Sequence, residues 1–120
     1  MFRKLENIAK INPEIAKIRE ESKCHSDRVL GYIELLFRKL SLYCTDETKE
    51  IAMKIYKDMR VEIRLSDQDP RKTAAGIVFY SAVVTGSRIT REDIIEVLKP
   101  MGKVTVTKGY ELVKCFMGQN

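Results

Sequence analysis

Apolar and polar positions along this chain alternate with the period of a helix almost everywhere. In "SDRVLGYIELLFRKLSLY", Val29, Leu30, Ile33, Leu36, Phe37 and Leu40 recur at helical spacing and form one apolar stripe. Ser26 stands where an N-cap would, its hydroxyl within reach of the first free backbone N–H groups. Gly31 weakens this helix by about 1 kcal/mol without breaking the stripe. "TDETKEIAMKIYKDM" follows after a short connection. Thr45 is its cap, Asp46 and Glu47 suit the positive end of the helix dipole, and Ile51, Ala52, Ile55, Tyr56 and Met59 face inward. A connection this short makes the two helices antiparallel neighbours. Ahead of them, Asn12-Pro13 marks a break or a helix start, and a charged helical stretch runs to about Ser22. After them, "RVEIRLSDQ" is the longest stretch without a clear period and has room for a brief strand.

"DPRKTAAGIVFYSAVVTG" predicts the centre of the fold. Asp69 as N-cap, Pro70 at the first helical position and Gly86 just past the end bracket one helix. Residues 74–84 are apolar nearly all round, interrupted only by Ser81, and a helix without a wet face must be surrounded by others. Ala74, Ala75, Gly76 and Ala82 let those neighbours approach closely. "ITREDIIEVL" supplies the next helix, with Thr90 and Asp93 at capping-box spacing and Ile94, Ile95, Val97 and Leu98 as its inner face. Lys99-Pro100-Met101-Gly102 ends it.

The last segment, "GKVTVTKGYELVKCF", supports two readings. Val104-Thr105-Val106-Thr107 alternates with period two, and Lys108-Gly109 suits a two-residue hairpin turn before Tyr110, which would make a β-wing. Val106, Tyr110, Val113 and Met117 also fall on one face of an amphipathic helix. Either way the fold is all-α in its body, with a helix-turn-helix-like or winged element at the C-terminal end.

Composition narrows the class. At 120 residues the chain is one domain by size, and 44% apolar with 32% charged residues argues for an ordinary globular interior rather than disorder. No apolar run approaches the ~20 residues needed to span a bilayer, and the start lacks the apolar stretch of a secretion signal. The expected location is therefore the cytoplasm, or a nucleus where the cell has one, without membrane association. Cys24, Cys44 and Cys115 are odd in number, far apart and without a C-x-x-C pair. That excludes a disulfide framework or zinc site and predicts buried, reduced thiols. The formal net charge of +5 permits an acidic partner, and residues 99–114 concentrate four lysines against one glutamate.

No residue pattern suggests catalysis. His25 has no second histidine with which to share metal or proton chemistry, and a surface or capping role at a helix start accounts for it. Asp67 and Asp69 read as turn and cap, and Ser81 as a small core residue without a partner base. Thr85-Gly86-Ser87 has too little glycine for a phosphate loop, and the tyrosines are mostly at core spacing. No enzyme and no cofactor is expected.

The stretch "DPRKTAAGIVFYSAVVTGSRITREDIIEVL", continuing to "VTVTKGYELV", resembles the cyclin-like repeat of transcription initiation factor B, the archaeal counterpart of eukaryotic transcription factor IIB. The matching elements are Pro70, Ala74, Ala75, Tyr80, Thr85, Gly86, Thr90, Asp93, Ile94, Glu96, Val97, Val104, Thr105, Val106 and Tyr110. The resemblance implies an N-terminal helical extension over residues 1–25 and a cyclin-like five-helix domain over 26–120, with a central hydrophobic helix and a C-terminal helix-turn-helix. It also implies that residues 104–116 are helical, with Thr105 as their cap. The function implied is promoter recognition without catalysis, on promoter DNA and the TATA-binding protein. Carried onto this chain, Thr105, Thr107 and Lys108 would lie near the start of the recognition helix, where such helices meet base edges and phosphates. Lys103, Arg88 and Arg91 would touch phosphates. Thr107 and Gly109 replace the family's two basic positions. A cyclin-fold protein–protein adaptor in the transcription machinery, without direct DNA contact, is the alternative.

Overall fold

Helix is the only regular structure among the described residues, 13–22 and 24–118, of the computed structural model. There are seven: α1 (Pro13–Glu21), α2 (His25–Lys39), α3 (Asp46–Asp58), α4 (Arg60–Leu65), α5 (Pro70–Thr85), α6 (Arg91–Leu98) and α7 (Lys103–Gly118). Much of the 1–25 extension, residues 1–12 and Lys23, lies outside the described residues.

The central helix is α5, which packs against α2, α3, α6 and α7. Ala74, Ala75, Ile77, Val78 and Ala82 are wholly buried, and Ser81 satisfies its hydroxyl on the Ile77 carbonyl at 2.8 Å. The enclosure ends one turn early, however. Val83 and Val84 are 51% and 55% exposed, although the sequence marks them as part of an all-round apolar helix. The neighbours cover α5 up to the Phe79–Tyr110 and Tyr80–Tyr110 ring contacts, at 5.3 and 6.0 Å, and leave its last turn bare on that side.

Side-chain hydrogen bonds fix the order of the surrounding helices. Tyr56 in the last turn of α3 donates to the Ser26 carbonyl at the start of α2 (3.0 Å), so α2 and α3 run antiparallel as expected. Thr48 at the start of α3 shares a 2.7 Å hydrogen bond with Thr85 at the end of α5. On the far side, α1 lies along α2, with Glu14 paired to Arg38 and Lys39 and Ile15 buried in the same core. Neither described end of α5 lacks a cap. Gly86 takes the left-handed conformation (φ 70°) that glycine adopts without penalty.

Four expectations need correction. Residues 60–65 form α4 rather than a strand, because Met59 and Ile63 one turn apart are both buried. Ser26 is not the cap of α2: the helix starts at His25, Cys24 holds the N-cap position without a side-chain cap bond, and Ser26 is buried in the first turn. The thiols are not buried, since Cys24 and Cys115 are exposed and Cys44 is half-buried; among the described residues no disulfide forms. Tyr43, finally, is 46% exposed in the α2–α3 connection, unlike the buried Tyr32 and Tyr56.

Asp69 carries a testable share of stability. Its carboxylate accepts from the Arg71 backbone N–H (2.9 Å) and pairs with the Arg71 guanidinium (3.1 Å), which also donates to the Pro100 carbonyl (3.1 Å). Burial opposes ionisation of Asp69, but the Arg71 hydrogen bonds and the Arg71 and Arg19 charges outweigh it and hold the carboxyl below the ordinary aspartate range. A carboxyl depressed in the folded state stabilises above its unfolded pKa, and that stabilisation disappears as pH falls through the folded value. Asp69→Ala is therefore expected to cost about 1 kcal/mol near neutral pH. The gap from wild type should close as acid protonates Asp69, as measured by urea unfolding from pH 7 down to pH 3.

Candidate functional site

Residues 103–118 are helical, which decides between the two readings of the last segment. The cap is not Thr105. The backbone N–H groups of Thr105 and Val106 donate to the Gly102 carbonyl, so Gly102 occupies the N-cap position and Thr105 lies inside the first turn. A wing fails here because Val106, Gly109 and Val113 make one continuous buried face at helical spacing, which a hairpin would split between two sides.

That face meets α5 backbone to backbone. A Cβ built on Gly76 would lie 2.2 Å from the Gly109 carbonyl oxygen, and one built on Gly109 would lie 2.3 Å from the Lys72 carbonyl oxygen. Only two glycines permit so close a crossing. Gly109 therefore belongs to helix packing, at the position where the resembled family carries a basic residue.

The α6–turn–α7 unit is pinned at three points. Thr90 and Asp93 form a reciprocal capping box at the start of α6, with N···O distances of 3.2 and 2.9 Å. The turn over residues 99–102 includes a cis Lys99–Pro100 peptide and is held to α5 by the Arg71–Pro100 hydrogen bond. Across the turn, Arg91 donates to the Thr107 hydroxyl at 2.8 Å, and Lys103 pairs with Glu92 at 2.6 Å. The hydrogen bond from Lys103 leads the causes that hold the Glu92 carboxyl below the ordinary glutamate range.

The six residues singled out from the sequence thus divide. Arg91, Lys103 and Thr107 come together on the edge of α7 facing α6. Arg88 is exposed in the α5–α6 connection, where its backbone N–H donates to the Tyr43 carbonyl. Thr105 is half-buried. Lys108 follows Thr107 by about 100° around the helix and lies on the far side, exposed, without an ion-pair partner among the described residues. Electrostatically the unit is less basic than its lysines suggest, because Glu96 pairs with Lys99 as Glu92 does with Lys103. Arg3, Lys4, Lys10 and Lys23 against Glu6 hold three of the chain's five net positive charges, and these residues lie outside the described part.

One surface feature was not read from the sequence. A groove of about 610 Å³ opens between α4, the start of α5 and α7, floored by Met59, Ile63, Leu112 and Phe116. Lys72, Lys108, Glu62 and Glu111 line it too. α4 supplies one wall of it, from a stretch whose local pattern has no clear period. The apolar 3–4 spacing of Met59 and Ile63 was the available signal.

Fold and site together define an all-α protein in which a turn over residues 99–102 joins α6 to α7. Comparison with protein-family models, curated proteins and solved structures finds no match. No described helix is long and apolar enough to cross a membrane.

Proposed function

We propose that this chain is a non-catalytic transcription module of the initiation-factor-B kind, with a cyclin-like arrangement around α5. In this reading its α6–α7 unit binds promoter DNA alongside the TATA-binding protein. The observation that carries the reading is the helical form of residues 103–118 after a pinned four-residue turn, which gathers Arg91, Lys103 and Thr107 on one edge with Arg88 in the connection before it. Helix–turn–helix units use such an edge against the duplex backbone. The resemblance of residues 69–113 supports the same assignment.

The geometry favours phosphate contacts over base readout. Thr107 is already engaged by Arg91, Thr105 is half-buried, and Gly109 has no side chain to extend and no room for one. Phosphate contacts position a protein without reading sequence. Binding is therefore expected to be salt-sensitive and nearly indifferent to sequence, with specificity supplied by the TATA-binding protein.

Fluorescence anisotropy against TATA-containing and random duplexes, with and without TATA-binding protein, tests this at two salt concentrations. Arg88→Glu and Lys103→Glu should weaken binding to both duplexes alike, and each lost phosphate contact should lower the salt dependence by about one in the log–log slope. Absence of binding to any duplex at low salt would reject the DNA reading. The adaptor reading would then take its place, favoured by the apolar groove between α4, α5 and α7.

A further inference from the structure

The groove between α4, the start of α5 and α7 has an apolar floor and a polar corner. Its floor is Met59, Ile63, Leu112 and Phe116. The polar corner forms where α4 gives way to α5. There the Gln68 backbone N–H donates to the Ser66 hydroxyl at 3.0 Å, and the Lys72 ammonium donates to the Gln68 side-chain oxygen at 2.6 Å. Gln68 thus holds Ser66 and Lys72 together, and both line the groove. Thr73 lines it as well. It is only 4% exposed, yet its hydroxyl makes no hydrogen bond among the described residues. A buried hydroxyl without a partner is costly, and the groove is where that partner can sit.

This corner is rich in donors. Ser66 accepts from Gln68 and keeps its own proton to give, and an ammonium retains further N–H donors after one hydrogen bond. The carboxylates in the lining, Glu62 and Glu111, are exposed on the α4 and α7 rims, with Lys108 also on the α7 rim. Those rim charges stay hydrated, whereas Lys72 is half-buried and held by Gln68. A volume of about 610 Å³ is that of a small-molecule site, where an apolar lining is combined with a few placed polar groups. The occupant must offer acceptors and negative charge at one end and an apolar body at the other. A partner helix fits less well, because the stripe it would lay in the groove is apolar and its polar groups face away.

We infer that this groove binds an alkyl-chain carboxylate, its head on Lys72, Thr73 and Ser66 and its chain along Ile63, Leu112 and Phe116. The charge on Lys72 selects the head, and the floor holds the chain by burying it. The site lies on the side of α7 that carries Lys108 and Leu112, away from the edge where Arg91 meets Thr107 and Lys103 meets Glu92. It therefore stands or falls apart from the DNA reading.

Isothermal titration of the full chain with decanoate, decanol and decylammonium, each below its solubility and micelle limits, is the direct test. Decanoate should bind the wild type about tenfold or more tightly than either of the other two. Lys72→Met keeps an apolar stem but no charge and should erase that preference. Thr73→Val keeps the shape without the hydroxyl and should weaken decanoate about threefold or more. Val83→Ser/Val84→Ser, at the bare last turn of α5, should bind decanoate as the wild type does. Circular dichroism checks that each variant keeps its helices. A wild type that takes up no decanoate overturns the inference and leaves the groove to a protein partner. Equal affinity for all three compounds also overturns it, since binding would then rest on apolar surface alone. So does a folded Lys72→Met protein that still prefers decanoate.

Discussion

Gly109→Ala is expected to destabilise the protein by at least about 2 kcal/mol, even though alanine is the better helix former by about 1 kcal/mol. The added methyl would sit 2.3 Å from the Lys72 carbonyl oxygen, closer than carbon and oxygen can approach. Because the obstacle is backbone, no rotamer change relieves it. α7 must lift from α5, and lifting it opens space beside the fully buried Val106 and Val113. Gly76→Ala should behave in the same way, since its Cβ would meet the Gly109 carbonyl at 2.2 Å. Gly31→Ala is the contrast. Its methyl meets the Ile18 Cγ2 methyl at 2.9 Å, a side chain rather than backbone, so the loss should be smaller than at Gly109 or Gly76. Urea unfolding of the three variants measures this. A Gly109→Ala protein as stable as wild type would show that the two helices do not cross through their backbones.

Ile77→Ala should cost about 2–5 kcal/mol, against about 0.5 kcal/mol or less for the exposed Val84→Ala further along the same helix. Ile77 is wholly buried where α5 is enclosed by its neighbours, so truncation leaves a cavity that several packed helices cannot close together. Val84 is 55% exposed and leaves no cavity when shortened. The pair separates apolar character, which the two residues share, from enclosure, which only one has. Equal losses at both positions, measured by thermal or urea unfolding, would mean that the bare last turn of α5 is covered in solution.

Both predictions bear on function through α7. The crossing at Gly76 and Gly109 sets how deeply α7 sits and therefore which of its edges faces outward. A basic side chain at 109 would have to displace α5 before it could reach a ligand. For this reason a loss of binding in Gly109 variants would report a displaced helix, whereas losses at Arg88 or Lys103 would report missing contacts.

Local chemistry made much of this protein legible from residue order. Caps at Thr45, Asp69, Thr90 and Gly86 were readable because each acts within one turn of its own position. The apolar stripes of α2 and α3 and the central place of α5 followed from periodicity, since a face that avoids water must be covered. Where reading failed, the deciding contact was distant in sequence. α4 is a helix because Met59 and Ile63 reach a core built by other segments. Val83 and Val84 lie where no described neighbour covers them, and residue type carries no record of that.

The sequence by itself determined an all-α body, the ends of its main helices and the identity of its central one, because these depend on backbone capping and on burying an apolar face. Only the tertiary structure decided that residues 103–118 form a helix, that Gly109 rests on Gly76, and that Lys108 and Thr107 serve different edges. Those outcomes depend on α5 lying against α7, and a local pattern compatible with both hairpin and helix is resolved by the surface it packs on.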